Sequence, residues 1–281
     1  MVHKDDCRFM YYFSALDPCI REFAHTKKVI AVVCTHLHDK YKENDAPWTF
    51  FFEKLKSIVV DGPDLCFISD SHKSIANGIA RAYNHAHQGY CMRHLGKNLR
   101  VNHQCRDHLY LFYHAAKAYS FEKFSDHFAE FKNFYPEAAF FLESDLGFEK
   151  WSRAYFPNNR FDVMTTNIAE SNYSMLSAER EYPMASIFNS IAKRFDEKFR
   201  EKSAYVLNYK DNKSMPTVKK ILRDNISEGD SFYVENVSGD DKQFIVFGSG
   251  RTTKVNLLVK SCSCRKFDLV KIPYVHAIAA L

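Results

Sequence analysis

Apolar residues recur along this chain with two periods, and the changes between them mark its elements. Residues 27–37, KKVIAVVCTHL, are a short β-branched run that predicts a buried strand. Residues 46–60, APWTFFFEKLKSIVV, place Trp48, Phe51, Phe52 and Leu55 on one stripe, the spacing of an amphipathic helix. A turn at 61–63 leads into DLCFISD (64–70), a second buried strand that ends in an acid. A helix is predicted over 71–86, with Ile75, Ile79 and Tyr83 or Ala82 sharing a face, and 89–100 reads as a third strand running into a helix. This βαβαβ alternation predicts a parallel or mixed sheet covered by helices.

From residue 105 the strand signal stops. Aromatic residues over 105–150 recur at helical spacing and predict an all-helical block. Residues 156–167, FPNNRFDVMTTN, read as a linker ending in capping residues, followed by a helix from about Asn167 to Arg180. Pro183 suits the first turn of another helix, in which Met184, Ile187, Phe188, Ile191, Phe195 and Phe199 keep the helical period. Residues 231–264 contain three short strands with polar turns, a small antiparallel unit, and the chain stops at Leu281 within an apparent helix.

Charge alters this picture more than composition does. The formal net charge of +5 permits a nucleic-acid partner without arguing for one, but it is unevenly spread. Between Ile187 and Arg223 there are ten Lys/Arg against four Asp/Glu, and from Arg251 to His276 six against one. Such segments can neutralise phosphates, but a solvated helix face is the plainer reading and the one the sequence alone favours. Cys7, Cys19, Cys34, Cys66, Cys91 and Cys105 are scattered, several in apolar runs where buried reduced thiols are normal. No signal peptide is expected in the opening MVHKDDCRFMYYF, and no apolar run reaches the roughly 20 residues of a membrane span. The expectation is a reducing, intracellular compartment and no membrane partner.

Candidate chemistry sits in three places. Asp70 ends a buried strand, where sites collect in α/β sheets, although an acid there also suits a cap for a helix beginning at Ser71. GYCMRHLGKNL puts Cys91 and His94 at i and i+3, on one side of a helical turn, and TTNIAES puts Glu170 inside an amphipathic helix. The terminal CSCRKFDLVKIPYVHA offers Cys262, Cys264 and His276, three residues of the kind zinc takes, where a closed site uses four.

FISDSHKSIANGIARAYNHAHQGYCMRHLGKNLR, the TTNIAES helix and the terminal CSC…H, in that order, resemble plant Mutator-like (MULE, MuDR-type) transposases over most of the chain. The resemblance implies an α/β fold, α+β overall: an incomplete RNase H-like core with a helical insertion, then a small β-rich SWIM-type zinc-finger region. Residues 1–104 would be the first part of the core, 105–160 the insertion, 161–224 the late core helices carrying Glu170, and 225–281 the β-rich segment and finger. It also implies three acids, two Asp and one Glu, holding two magnesium or manganese ions for in-line attack on a phosphodiester. Asp70 matches the second acid and Glu170 the third. Cys91 and His94 match a CxxH signature whose role the resemblance leaves open.

Three departures from the family pattern matter. The first strand should end Asp-Gly-Thr-His-Leu, but Val33 and Cys34 stand where the Asp-Gly would be. The two core strands that should follow are expected to be deleted, since Lys42 leads almost directly into ENDAPWTFFFEKL, and Asp39 lies past the strand end. SWIM fingers read CxC, spacer, CxH, and here Tyr274 replaces the second-to-last ligand. A phenol that ionises near pH ~10 is a poor zinc ligand. The expectation is a truncated, degenerate, transposase-derived nuclear protein with DNA as partner, weak zinc binding and no strand transfer. No DNA-binding module is expected before Met1 and no zinc knuckle at the far end. A second reading is a domesticated nuclear transcription regulator that contacts DNA or other nuclear proteins. A third is an active enzyme that draws its missing acid from Asp5, Asp6 or Asp39.

Overall fold

The computed structural model describes residues 2–5, 8–13, 15–33, 45–175, 184–207, 216–236, 239, 242–248, 250–270 and 272–281. Its contacts divide the chain into two units, Met1–Ala192 and Lys193–Leu281.

The first unit opens with strands β1 (Val2–Asp5) and β2 (Arg8–Tyr12), paired antiparallel, and helix α1 (Asp17–Phe23). The hydrophobic pattern did not predict these elements. The predicted βαβαβ order then follows as β3 (Val29–Ala31), α2 (Asp45–Lys56), β4 (Cys66–Ser69), α3 (Lys73–Ala82), β5 (His87–Tyr90) and α4 (Met92–Asn102). β4 is central, with β3 and β5 parallel on either side. Parallel neighbours need a crossover connection, and α3 provides the one between β4 and β5. β4 is buried at all positions, which is why its sequence is a continuous apolar run rather than an alternation. Phe67 joins Phe52, Ile75, Ile79 and Tyr83 in one core, while Cys66 and Ile68 join Cys91 and Phe156 in another. This is the two-residue period of a strand covered on both faces. α2 lies so close to α3 that a Cβ on Gly78 would sit 2.8 Å from Phe52 Cδ2. The strand predicted over 27–37 is three residues long at β3, and residues 34–44, where the deleted strands were expected, lie outside the described residues.

The helical block predicted over 105–150 consists of α5 (Leu109–Lys117), α6 (Phe121–Phe134), α7 (Pro136–Phe140), a π-helix (Phe141–Leu146) and α8 (Phe148–Trp151). Ser120 caps α6 by accepting the Lys123 N–H, and Pro136 opens α7. Phe112, Phe124, Phe131 and Trp151 fill the core of this block. After the linker comes α9 (Asn167–Met175), and the division between the units falls within α10 (Met184–Leu207); Pro183 and the predicted end of α9 lie outside the described residues.

The turn before β4 makes a testable contribution to stability. The Asp61 carboxylate accepts the backbone N–H groups of Asn84 at 2.7 Å, His85 at 3.2 Å and Ala86 at 3.0 Å, tying the α3–β5 loop to the α2–β4 connection. Burial pushes this carboxyl up, but the three hydrogen bonds outweigh it and hold it below its usual range. Asp61→Ala is expected to cost about 1–2 kcal/mol at neutral pH. A depressed folded-state pKa gives stability that is present above the unfolded value and lost as pH falls through the folded one. In urea unfolding, the gap between wild type and variant should therefore narrow on going from neutrality towards pH ~3. A gap that is the same at both pH values counts against the carboxylate's role.

The second unit holds α11 (Pro216–Gly229), β6 (Tyr233–Asn236), β7 (Gln243–Gly248), β8 (Arg251–Asn256), β9 (Ser261–Cys262), α12 (Lys266–Val270) and α13 (Val275–Ala279). The strands form an antiparallel sheet in the order β6-β7-β8-β9, with Val246, Val255, Phe267 and Ala277 in its core. Three of these strands were predicted. The fourth, β9, is only two residues long and carries Cys262. No helix among the described residues is long and apolar enough to cross a membrane.

Candidate functional site

Strand pairing aligns one edge of the parallel sheet. Ala31 pairs with Ile68, and Ser69 with Tyr90. The Val32 N–H donates to the Ile68 carbonyl at 2.8 Å, and the Cys91 N–H to the Ser69 carbonyl at 2.6 Å. Continued by a residue or two, that register brings Val33, Asp70 and Cys91 to the carboxyl edge of the sheet, where α/β proteins place their sites. Asp70 does not cap α3. The helix starts at Lys73, later than the expected Ser71, so the cap falls to His72, whose Nδ1 accepts the Ser74 N–H at 3.3 Å. Asp70 instead accepts the His72 N–H at 3.1 Å and shapes the turn.

Cys91, at the N-cap of α4, is 1% exposed. His94, one turn on, and Glu170, in the first turn of α9, complete a group whose ligand atoms lie within 4.8 Å of one another. Asp70 is not part of that close group, but its charge acts on the His94 ring. The two oxygens of Glu170 are used differently: Oε2 pairs with Arg93, while Oε1 lies 3.6 Å from His94 Nε2. Thr166, fully buried, ties the group together. Its carbonyl accepts the Glu170 N–H at 3.0 Å, and its own N–H donates to Cys91 Sγ at 3.4 Å. Its hydroxyl lies 2.8 Å from Glu170 Oε1 and 3.3 Å from Cys91 Sγ, and can donate to one at a time. Burial pushes the Cys91 thiol up, but the His94 imidazole and the Thr166 donors outweigh it and bring the thiol down to about 6. His94 is raised, chiefly by Cys91, so the pair favours thiolate beside imidazolium.

Asp70, Cys91, His94 and Glu170 were singled out in the sequence; Arg93 and Thr166 were not. The capping signal in TTNIAES was visible, but a second partner for Thr166 as far away as Cys91, at the start of α4, is not a sequence pattern. An open cavity of about 680 Å³ lies beside Arg93, lined in part by Lys117, Tyr113, Tyr119 and Arg153, the last paired with Asp162, which also lines it.

In the second unit, β9 pairs with β8 through Val255 and Cys262, and the Arg265 N–H donates to the Cys262 carbonyl at 2.7 Å. Arg265 takes φ 61°, a left-handed turn uncommon outside glycine, which leads the chain from the CxC segment into α12. Asp268 returns to accept the Cys262 N–H at 2.9 Å. Cys262 Sγ lies 3.6 Å from His276 Nδ1, and with Cys264 the three ligand atoms lie within 4.8 Å of one another. A hydrogen bond from Cys262, with help from His276, brings Cys264 down to about 4, and the same bond pushes Cys262 up. The thiols thus hold one proton between them, which a bound cation would displace. Tyr274, at the N-cap of α13, has its ring 5.8 Å from that of His276 and beneath Lys266 Nζ at 3.4 Å. Burial first, then the charges of Glu228 and the two cysteines, push its phenol further up, away from the ionised form that zinc would need. Two thiols and one imidazole therefore converge in an arrangement that can hold a zinc-like ion, with the Tyr274 ring beside His276.

A parallel sheet with an acid at its carboxyl edge and a glutamate brought in from a late helix defines an α/β protein with its site at the strand ends. The chain belongs to the Mutator family of transposases. The family model described as Transposase, Mutator family matches residues 26–182, which takes in every element from β3 to α9 together with Asp70, Cys91, His94 and Glu170. None of the curated proteins and none of the solved structures compared with the chain matches it.

Proposed function

We propose that this transposase-derived chain binds DNA and has lost two-metal strand transfer. Val33 carries the proposal, because the register of β3 on β4, continued past Ala31, leads it to the sheet edge alongside Asp70, where the family pattern has its first acid. Two divalent cations about 4 Å apart need several anionic oxygens around them. Around Glu170 the neighbours are the Cys91 thiol, the His94 imidazole and the Arg93 guanidinium, with Asp70 outside this close group, a set that does not fit a pair of magnesium or manganese ions. Of the alternative sources of the acid, Asp5 ends β1, while Asp6 and Asp39 lie outside the described residues. On this proposal the parallel sheet is the remnant of an RNase H-like core, and α5–α8 are an insertion. The second unit is a SWIM-type finger with weak affinity for zinc, and the protein acts in the nucleus, where its DNA lies.

Exposed Lys193, Arg194 and Lys202 on α10, with Lys220 and Arg223 on α11, supply charge for phosphates. The same basic positions favour a second reading, a regulator recruited from such an element, which would differ in preferring particular duplex sequences. Purified protein incubated with duplex DNA and magnesium or manganese is expected to leave the DNA uncut, while its binding to the duplex falls steeply as salt rises. Metal-dependent nicking that disappears in Asp70→Ala would overturn the loss of catalysis. Binding indifferent to salt would overturn the basic contacts.

A further inference from the structure

We infer that Cys91, His94 and Glu170 form a second metal site, one that takes a single transition-metal ion of the zinc type. The inference concerns this group alone and holds whether or not the chain binds DNA. Three observations support it.

The first is the donor set. A thiol, an imidazole and a carboxylate within 4.8 Å of one another match the ligands zinc takes. Around a tetrahedral ion with bonds of about 2.0–2.3 Å, neighbouring ligand atoms sit roughly 3.3–3.8 Å apart, so closure needs shifts of only about 1 Å. Sulfur and nitrogen donors select against magnesium and calcium.

The second is an unmet polar atom. His94 Nδ1 is buried and makes no hydrogen bond of good geometry, while Nε2 faces Glu170. A buried ring nitrogen held by no more than a poorly aligned contact with the Cys91 thiol is costly, and coordination by an ion is one way to satisfy the ring.

The third is the surrounding shell, which is already in place. Because Arg93 holds Glu170 Oε2, the oxygen turned towards His94 is Oε1, and it can bind an ion without breaking the ion pair. The Thr166 N–H points at Cys91 Sγ, the kind of donor that steadies a metal-bound thiolate, and the Thr166 hydroxyl steadies Oε1. The ligands come from two ends of the unit: Cys91 and His94 from the junction of β5 and α4, Glu170 from α9. An ion would thus staple α9 to the sheet edge. The side chains of His94 and Glu170 are 33% and 23% exposed, which leaves room for water as the fourth ligand.

The test uses cobalt(II) as the probe on the full chain. Cys262→Ser/Cys264→Ser removes the thiols of the other candidate site. This double variant is expected to bind one cobalt ion, with a thiolate-to-cobalt charge-transfer band and the strong visible absorption of a four-coordinate ion. Adding Cys91→Ser should abolish the charge-transfer band. Glu170→Gln, at a partly exposed position, should keep the fold by circular dichroism and the sulfur band while weakening binding by about tenfold or more. A double variant that shows no band overturns the site. So does a band that survives Cys91→Ser, or an affinity untouched by Glu170→Gln.

Discussion

Tyr274→Cys is expected to raise the zinc affinity of the second unit by on the order of 100-fold. A closed structural zinc site contributes about 10–16 kcal/mol, so one ligand of four is worth about 3 kcal/mol, and each 1.4 kcal/mol is about tenfold in affinity. Cys262, Cys264 and His276 already converge within 4.8 Å, and Tyr274 sits beside the His276 ring at the start of α13. The substitution therefore adds a thiol where the chain already turns towards the ion. It also removes a phenol held away from ionisation by burial and by the nearby charges. Because ligand assembly is coupled to folding, affinity and the thermal stability of this unit should rise together. The measurement is zinc competition against a chromophoric chelator, with full-length protein carrying Cys91→Ser in both arms so that one site is read. Equal affinity with and without the Tyr274→Cys substitution would mean that position 274 does not face the ion. Losing Tyr274 also removes the ring beneath Lys266, and a Tyr274→Ala control shows whether that loss alone changes stability.

The other large effect lies in the helical block. Trp151→Ala is expected to cost about 3–5 kcal/mol, enough to unfold a marginal domain. Trp151 is completely buried, its ring centroid 5.3 Å from Phe112, 5.6 Å from Phe124, 6.0 Å from Phe128 and 5.9 Å from Phe148. Its indole N–H donates to the Leu142 carbonyl at 3.1 Å, inside the π-helix. Alanine leaves a cavity between several helices and strips that carbonyl of its donor. Trp151→Phe keeps most of the apolar contact and loses only the hydrogen bond, so about 1–3 kcal/mol is expected. Denaturant unfolding of the two variants separates packing from hydrogen bonding. Equal losses would place the whole effect on the Leu142 carbonyl.

Much of the candidate chemistry was legible in the sequence for a local reason. The i, i+3 spacing of Cys91 and His94 is a property of one helical turn, and the CxC of Cys262 and Cys264 is a property of one tight turn. The apolar run of β4 signalled a strand covered on both faces, and it is. Less legible were β1, β2 and the two-residue β9, whose hydrogen bonds come from partners rather than from their own patterns. Asp70 shows the limit at the scale of one residue. Its position at a strand end was visible, but whether it caps α3 depended on where the helix begins, and a shift to Lys73 gave that task to His72.

By itself the sequence determined the alternation of strands and helices, the helical block, and the identities of the residues able to hold metal, because hydrophobic period and ligand chemistry belong to short stretches. Tertiary structure decided how those stretches meet. Parallel register set the end of β3 and Cys91 on opposite sides of the end of β4, where Asp70 follows. The contacts of Thr166 brought α9 to Cys91 and turned one oxygen of Glu170 towards His94, while Arg93 took the other. These outcomes rest on hydrogen bonds and ion pairs between residues far apart in the chain, and no local period encodes them.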